Sequence, residues 1–176
     1  MSLSIRQAGP GDAAAIEAVL AEAARWLEDA GMPMWLPDEI TTAGIAADVA
    51  RGLFFVAECD GDAAGTIRFQ LEDLLFWPDV PHDDSAFVHR LAVRRRFAGH
   101  GIASALLRWA VERAAELGKR YLRLDCEAAR PKLRRVYEDF GFRWHSDRQV
   151  GPHFVARYEY VVRRSDRGVR LQPDRS

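Results

Sequence analysis

A short segment near the middle of the chain carries residue types that suit the binding of an anion. Three consecutive arginines are followed, after two further residues, by two closely spaced glycines: Arg94, Arg95, Arg96, Gly99 and Gly101. A strand is predicted to end at Val93, and an apolar, alanine-rich helix to begin near Ile102. The first N–H groups of a helix are unpaired, and the helix dipole adds partial positive charge there. The sequence therefore predicts a phosphate or pyrophosphate site at this turn.

Two familiar phosphate-binding motifs do not match this glycine turn. A P-loop requires Lys and Ser or Thr after its last glycine, and no such segment occurs in the chain. A dinucleotide fingerprint requires a third glycine where the chain has Ser104. On local evidence alone, a plain glycine turn flanked by solvated arginines stays open as the alternative.

Composition restricts the class of protein. The 176 residues, 48% hydrophobic and 29% charged, are enough for one globular domain with a core. A net charge of −1 provides no field that would recruit nucleic acid or an anionic membrane. Two cysteines, Cys59 and Cys126, form no disulfide framework, and the histidines are too scattered to predict a metal site. No signal-peptide or membrane-span pattern occurs, so we expect a soluble, cytoplasmic protein.

Hydrophobic periodicity and turn residues predict the order β-α-α-β-β-β-α-β-α-β-β, which is a mixed α/β fold. The strand that leads into the glycine turn spans residues 85–93, and the helix after the turn is expected to end at Gly118. An Asp-Gly turn predicts a hairpin between the runs 53–59 and 63–71. Residues 72–84 are rich in turn-forming, acidic and aromatic residues and are predicted to be a loop.

Two spaced motifs give the chain a family resemblance. The stretch "RLAVRRRFAGHGIASALL" resembles the acetyl-CoA motif of the GNAT superfamily of N-acetyltransferases. The later stretch "LRLDCEAARPKLRRVYEDFGF" is similar to the next strand and helix of that family, which end in Tyr-x-x-x-Gly-Phe. The resemblance implies a mixed, mostly antiparallel sheet of about six to seven strands with helices on both faces and strands splayed at the acetyl-CoA site. It implies one such domain over residues 1–162. Residues 163–176 are charged and have little apolar periodicity, so we expect them to form a flexible tail.

The resemblance also implies a function. It indicates an enzyme that moves the acetyl group of acetyl-CoA to a primary amine, of a small molecule, by direct attack in a ternary complex. A non-catalytic acyl-CoA-binding sensor of the same fold is the alternative, and a nucleotide-binding module without coenzyme A is a third. Nucleic acid and membrane partners are not expected, and a homodimer stays open because family members often dimerise.

Cofactor-binding residues carry over from the family by position. The loop backbone is expected to hold the coenzyme pyrophosphate, through Ala98, Gly99, His100, Gly101, Ile102 and Ala103. The amides of Leu91 and Val93 are expected to bind the pantetheine arm, and the three arginines to supply charge. Arg130 stands where many members have an asparagine, so this residue either reaches a coenzyme phosphate or points to solvent.

Two residues are candidates for acid–base catalysis. Tyr137 occupies the position from which a family tyrosine protonates the departing thiolate, and a phenol is protonated at neutral pH. His89 is the candidate base, because imidazole titrates near neutrality and some relatives that act on small amines use histidines on this strand. Strict alternation would place His89, Phe87 and Leu91 on one face. The competing interpretations are an aromatic anchor for Tyr137 and a sheet hydrogen bond for His89.

Acidic and aromatic residues in the loops predict the acceptor. In this fold the acceptor enters between the first two helices and the loop before the glycine-motif strand. Four residues there are taken as candidate contacts: Trp35, Glu72, Asp83 and Asp84. Carboxylates and a tryptophan suit a cation, so we expect an amine acceptor.

Overall fold

The computed structural model describes residues 1–166, and within them the chain forms seven strands and four α-helices around one sheet. The strands are β1 (Leu3–Gln7), β2 (Phe54–Cys59), β3 (Asp62–Gln70), β4 (Ser85–Val93), β5 (Tyr121–Glu127), β6 (Arg143–Val150) and β7 (His153–Val161). The helices are α1 (Ala13–Asp29), α2 (Thr42–Ala50), α3 (Ile102–Glu116) and α4 (Pro131–Phe140). The expected flexible tail begins with a short 3-10 turn, Arg164–Asp166, and its remainder lies outside the described residues.

The strands form a single sheet in the order β1-β2-β3-β4-β5-β7-β6. Every neighbouring pair is antiparallel except β4 and β5, which run parallel. The predicted Asp-Gly hairpin joins β2 to β3, with Asp60 and Gly61 both at positive φ as a tight hairpin turn requires. The predicted mixed, mostly antiparallel sheet of about seven strands is confirmed.

Two apolar clusters hold the layers together, one on each face of the sheet. The cluster under α3 includes Leu106 and Ala110, which are fully buried at i, i+4 spacing. The second cluster lies under α1 and α2 and includes Ile16 and Leu20 from α1. Helices on both faces bury both sides of the sheet, as the sequence predicted. None of the helices among residues 1–166 combines the length and apolarity needed to cross a bilayer.

A bulge interrupts β4 at Arg90. Thr66 of β3 pairs with Ala92, whereas Arg68 pairs with His89, so two residues of β4 stand opposite one residue of β3. Arg90 adopts a φ of 53°, in the left-handed region that L-residues rarely occupy. The extra residue reverses the alternation that follows it.

The bulge overturns the prediction that His89, Phe87 and Leu91 share a face. His89 and Phe87 contact the aromatic side chains of the loop that precedes β4. Leu91 instead packs against the cluster under α3. The prediction was wrong because strict period-two alternation does not survive an inserted residue.

The parallel ladder between β4 and β5 is short. It comprises three pairs, from Ser85 opposite Tyr121 to Phe87 opposite Arg123. Beyond Phe87 the two strands separate, while β5 continues to pair with β7 as far as Glu127. The separation leaves a wedge-shaped gap that is closed at the start of β4 and open toward the glycine turn. This gap corresponds to the splayed strands that the family resemblance implied.

The predicted loop between β3 and β4, residues 71–84, is firmly attached to the sheet. Arg157 of β7 donates two hydrogen bonds to the Asp79 carboxylate, at 2.6 and 2.9 Å, and one to the Phe76 carbonyl oxygen at 3.0 Å. Its guanidinium also stacks on Trp77, which is completely buried. The loop is therefore a rigid cover over one face of β4.

Replacing Gly65 with alanine should destabilise the fold. An added Cβ would lie 2.9 Å from the Ala92 carbonyl oxygen and 3.3 Å from atoms of Ile102 and Leu106, so β3, β4 and α3 would have to separate. Overpacking of this kind costs about 1–3 kcal/mol, and thermal denaturation should show a lower Tm. Gly11→Ala, where a Cβ meets nothing within 4 Å, is the control. An unchanged Tm for Gly65→Ala would contradict the close packing.

Candidate active site

The glycine turn after β4 presents open backbone donors. Gly99 and Gly101 have φ values of 79° and 74°, and glycine adopts this left-handed region without strain. A Cβ at either position would meet nothing within 4 Å, so the backbone faces open space. Helix α3 then begins at Ile102 without a side-chain cap and without an acidic residue in its first turn. These uncapped N–H groups fit a pyrophosphate, and the prediction of an anion cradle stays consistent with the geometry.

The three arginines before the turn contact other parts of the chain. Arg94 lies 3.9 Å from the Glu22 carboxylate, Arg95 stacks on Trp26 at 4.0 Å, and Arg96 pairs with Asp62 at 3.0 Å. His100 is exposed and its Nδ1 contacts the Ala98 carbonyl oxygen. The side chains thus have partners of their own. In the loop backbone, the amides of Ala98 and His100 donate to the carbonyl oxygens of Arg95 and Phe97, whereas those of Gly99 and Gly101 have no backbone acceptor within residues 1–166.

His89 and Asp73 form a close pair at the point where β4 leaves β5. His89 Nε2 lies 2.6 Å from Asp73 Oδ2. Burial opposes ionisation of Asp73, but hydrogen bonds from His89 and from the amides of Phe76 and Leu75 lower its pKa overall. An ionised carboxylate only accepts hydrogen bonds, so Nε2 carries the hydrogen and donates it. In the neutral imidazole, Nδ1 is then the free acceptor.

Asp125 of β5 lies on the other side of the imidazole. Its Oδ2 is 3.8 Å from His89 Nδ1, and its side chain is 8% exposed. Burial raises the pKa of Asp125 to about 6; the charge of His89 opposes this shift and that of Asp73 adds to it. The Trp77 indole N–H lies close enough to Asp125 to favour the ionised carboxylate. It nevertheless forms no hydrogen bond of normal geometry with any group within residues 1–166.

Three potential ligand atoms therefore meet in this part of the gap. Asp73, His89 and Asp125 each offer one such atom, and these atoms lie within 4.8 Å of one another. A metal ion held by this group would take the Nδ1 atom of His89, since Nε2 is already bonded to Asp73. The sequence did not predict this grouping, since it depends on the loop 71–84, β4 and β5 together.

Tyr137 extends from α4 into the cluster under α3. Its ring packs against Phe142 and Tyr158, with ring centroids 6.0 and 6.4 Å apart. Burial raises the pKa of the Tyr137 phenol, so the hydroxyl keeps its proton at neutral pH. Burial also raises the pKa of the neighbouring Cys126 thiol, to about 12. The Tyr137 phenol and the Cys126 thiol are therefore both protonated at neutral pH.

The segment between α1 and α2, residues 30–41, bridges the gap. On the β4 side, Arg90 donates to the Glu39 carbonyl oxygen at 3.1 Å. On the β5 side, Arg130 donates to the carbonyl oxygens of Met32 and Pro33. His153 of β7 lies 2.9 Å from the Glu39 carboxylate. Because these contacts hold residues 30–41 across the open part of the gap, we call this segment the roof.

These contacts add to the prediction for Arg130 and change the one for Trp35. Arg130 Nη2 donates to the roof carbonyls, which ties this side chain to the roof, and its expected contact with a coenzyme phosphate stays a prediction. Trp35 lies in the roof, but the cation over its ring is Arg90, 5.3 Å from the ring centroid. The sequence could not reveal either pairing, since each joins residues more than fifty positions apart.

The three predicted acidic contacts in the loop 71–84 are not brought to the gap. The Asp84 carbonyl oxygen accepts from the amides of Arg120 and Tyr121, which places it at the closed end of the β4–β5 ladder. Asp83 is adjacent, and its carbonyl oxygen accepts from Lys119. Glu72 is exposed on the loop surface. The loop residue that does reach the site is Asp73, which the sequence marked only as one of many acidic residues.

Comparisons with known proteins agree with the motifs. A family model described as the acetyltransferase (GNAT) family matches residues 18–142. YesJ of Bacillus subtilis (strain 168), described as an uncharacterized N-acetyltransferase, is 32% identical over 148 residues, covering 81% of this chain and 82% of its own.

Solved structures share the fold. A GNAT-family acetyltransferase from Listeria monocytogenes superposes with a TM-score of 0.75 at 23% identity, over 90% of this chain and 95% of that one. The PaiA N-acetyltransferase from Thermoplasma acidophilum, solved in complex with coenzyme A, superposes with a TM-score of 0.71 at 20% identity, over 91% of this chain and 100% of that one.

Asp125→Asn should stabilise the protein at pH 7.5. The folded chain holds a proton on Asp125 that the unfolded chain releases at lower pH, so wild-type stability falls as pH rises between 3.8 and about 6. The asparagine removes this penalty, which amounts to at most about 3 kcal/mol. The gain in Tm should vanish near pH 4, where the native carboxyl is neutral.

Thermal denaturation at pH 7.5 and pH 4 measures this difference. Asp147→Asn, an exposed position whose side-chain oxygen already accepts from the Trp144 indole, is the matched control and should leave Tm unchanged at both pH values. A lower Tm for Asp125→Asn at pH 7.5 would mean that the carboxylate is stabilised in place, contrary to the environment described.

Proposed function

The chain belongs to the acetyltransferase (GNAT) family and is an N-acetyltransferase that uses acetyl-CoA; from that premise we propose that it acetylates a primary amine of a small molecule by direct attack in a ternary complex. One observation carries the proposal. The His89 imidazole, fixed by Asp73 at 2.6 Å, turns its free nitrogen toward the gap between β4 and β5. A base is thus available where an acceptor amine must lose a proton.

The donor side of the site is assigned to backbone groups. Acetyl-CoA, when bound, supplies an acetyl thioester. The loop of residues 98–103 would hold its pyrophosphate through the amides of Gly99, Gly101, Ile102 and Ala103, supported by the left-handed glycines and the uncapped start of α3. The amides of Leu91 and Val93 would receive the pantetheine arm, because β4 has left β5 before these residues. We assign the whole unit to residues 1–162.

His89 serves as the general base in this proposal. Asp73 accepts the Nε2 hydrogen, which fixes the tautomer and leaves Nδ1 to take a proton from the acceptor. When Nδ1 is protonated, the imidazolium lies between two carboxylates, Asp73 and Asp125. Their charges stabilise the cation formed during proton transfer.

Tyr137 serves as the general acid. It holds a proton at its phenol oxygen, and burial keeps that proton in place at neutral pH. The ring is anchored by Phe142 and Tyr158, and the residue as a whole is 8% exposed. The proton is available to the thiolate that leaves when the acetyl group moves.

Direct attack is favoured over an acyl-enzyme relay through a cysteine. A relay requires a thiolate, and the pKa of the Cys126 thiol is raised to about 12. Cys59 is fully buried on β2, in the cluster under α3. The roof formed by residues 30–41 favours a small acceptor, because it restricts access to the open part of the gap.

Tyr137→Phe should keep the fold and acetyl-CoA binding and lower turnover. The ring contacts persist, but the proton for the leaving thiolate is lost, and general acids contribute about 10²–10⁴-fold. The protein is incubated with acetyl-CoA and each of a panel of primary amines, and kcat is obtained from the rate at which free thiol is released. Tyr121→Phe, at the closed end of the ladder, is the control. Unchanged turnover in Tyr137→Phe would remove the acid role.

His89→Gln should lower kcat/KM for an amine by about 100-fold or more at pH 7.5. Activity should recover partly when pH exceeds the pKa of the amine, because a neutral amine needs no base. Asp73→Asn keeps a hydrogen-bond partner but loses the charge, so its loss should be smaller. Acetyl-CoA affinity, measured by titration, should be unchanged in both variants. A loss that does not depend on pH would indicate a structural role instead.

A further inference from the structure

Among residues 1–166, no arginine or lysine lies within ion-pair distance of the Asp125 carboxylate, and its one such contact is His89 Nδ1 at 3.8 Å. Its Oδ2 is buried and has no hydrogen-bond partner within residues 1–166, and the side chain is 92% buried. Unpaired buried carboxylates are costly and therefore uncommon.

The two arginines near Asp125 are engaged elsewhere. Arg157 binds Asp79, and Arg90 contacts the Glu39 carbonyl oxygen and the Trp35 ring. A partner from outside the chain would satisfy the free oxygen.

The group that faces Asp125 is also a hydrogen-bond acceptor. His89 Nε2 donates to Asp73, so Nδ1 carries a lone pair and faces Oδ2 at 3.8 Å. This separation is too long for a direct hydrogen bond, and two acceptors cannot bond to each other. A nitrogen with at least two N–H groups can lie about 2.8 Å from both atoms and donate to each. The remaining charged group on this side, Asp73, adds negative potential.

We propose that the protonated amino group of the acceptor binds between Asp125 Oδ2 and His89 Nδ1, so that Asp125 selects cationic primary amines. The inference rests on the proposed function and deepens it. In this position one N–H bond of the ammonium breaks and its proton joins Nδ1, while the electron pair stays on the nitrogen. The amine becomes the neutral nucleophile, and the new imidazolium lies between Asp73 and Asp125.

Binding of simple cations to the free protein tests the subsite without turnover. The protein is labelled with ¹⁵N-histidine, His89 is assigned by comparison with His89→Gln, and n-butylammonium chloride is titrated at pH 7.5 in the presence of EDTA. We expect the His89 nitrogen resonances to shift with saturation. Tetramethylammonium, which has no N–H, and 1-butanol, which has no charge, should cause no such shift.

Asp125→Asn should weaken the n-butylammonium response at least tenfold, while Asp147→Asn should behave as the wild type. Because the asparagine variant is expected to fold at least as well as the wild type, a lost response reports the subsite and not unfolding. Equal affinity in Asp125→Asn and wild type would overturn the proposal. A larger His89 shift with Zn²⁺ than with n-butylammonium, after EDTA is removed, would assign the three side chains to a metal instead.

Kinetics separates failure of the inference from failure of the proposed function. If both hold, Asp125→Asn raises KM for the amine at least tenfold and leaves KM for acetyl-CoA within twofold. If Asp125→Asn acetylates amines with wild-type KM while His89→Gln does not, the function stands and the subsite falls. If no primary amine is acetylated but the Asp125-dependent shift is seen, the proposed reaction falls and the cation subsite stands.

Discussion

The separation of β4 from β5 is the constraint on which the site depends. The two parallel strands pair over only three residues, and the bulge at Arg90 then turns β4 so that His89 and Leu91 face opposite sides of the sheet. One strand thereby offers a titratable side chain on one face of the sheet and backbone groups to the gap. A continuous ladder would have satisfied those backbone groups internally and left no room for ligands.

Two aspartates at the same imidazole show how environment assigns different roles to one residue type. Both side chains are nearly inaccessible to solvent, yet hydrogen bonds to its charged form lower the pKa of Asp73. Burial raises the pKa of Asp125 to about 6, and the nearby Trp77 indole N–H only partly opposes this rise. The loop 71–84 accounts for the difference, because its Leu75 and Phe76 amides both point at Asp73. His89 therefore lies between Asp73, whose charge is held by hydrogen bonds, and Asp125, whose Oδ2 has no hydrogen-bond partner within residues 1–166.

Local signals in the sequence predicted the features that depend on neighbouring residues. Gly99 and Gly101 marked the left-handed turn, and the helical spacing of Ile102, Leu106 and Ala110 predicted α3 and its buried face. The bulge escaped prediction because β4 has no glycine or proline at Arg90 to signal it. The partners of Arg130 and the approach of Asp73 to His89 are long-range contacts, which composition and periodicity do not encode.

The closed end of the gap has a polar clamp. Arg123 of β5 donates to the Ser85 hydroxyl oxygen of β4 and to Glu159 of β7, and its guanidinium lies over Trp77. Because these contacts join β4 to β5, they set the end of the gap between the two strands. An extended molecule that enters beside the glycine turn and lies along β4 is stopped where the ladder closes, at Phe87 opposite Arg123. In the proposed site, the length of the gap between the glycine turn and this ladder would therefore limit how far a donor can reach along β4.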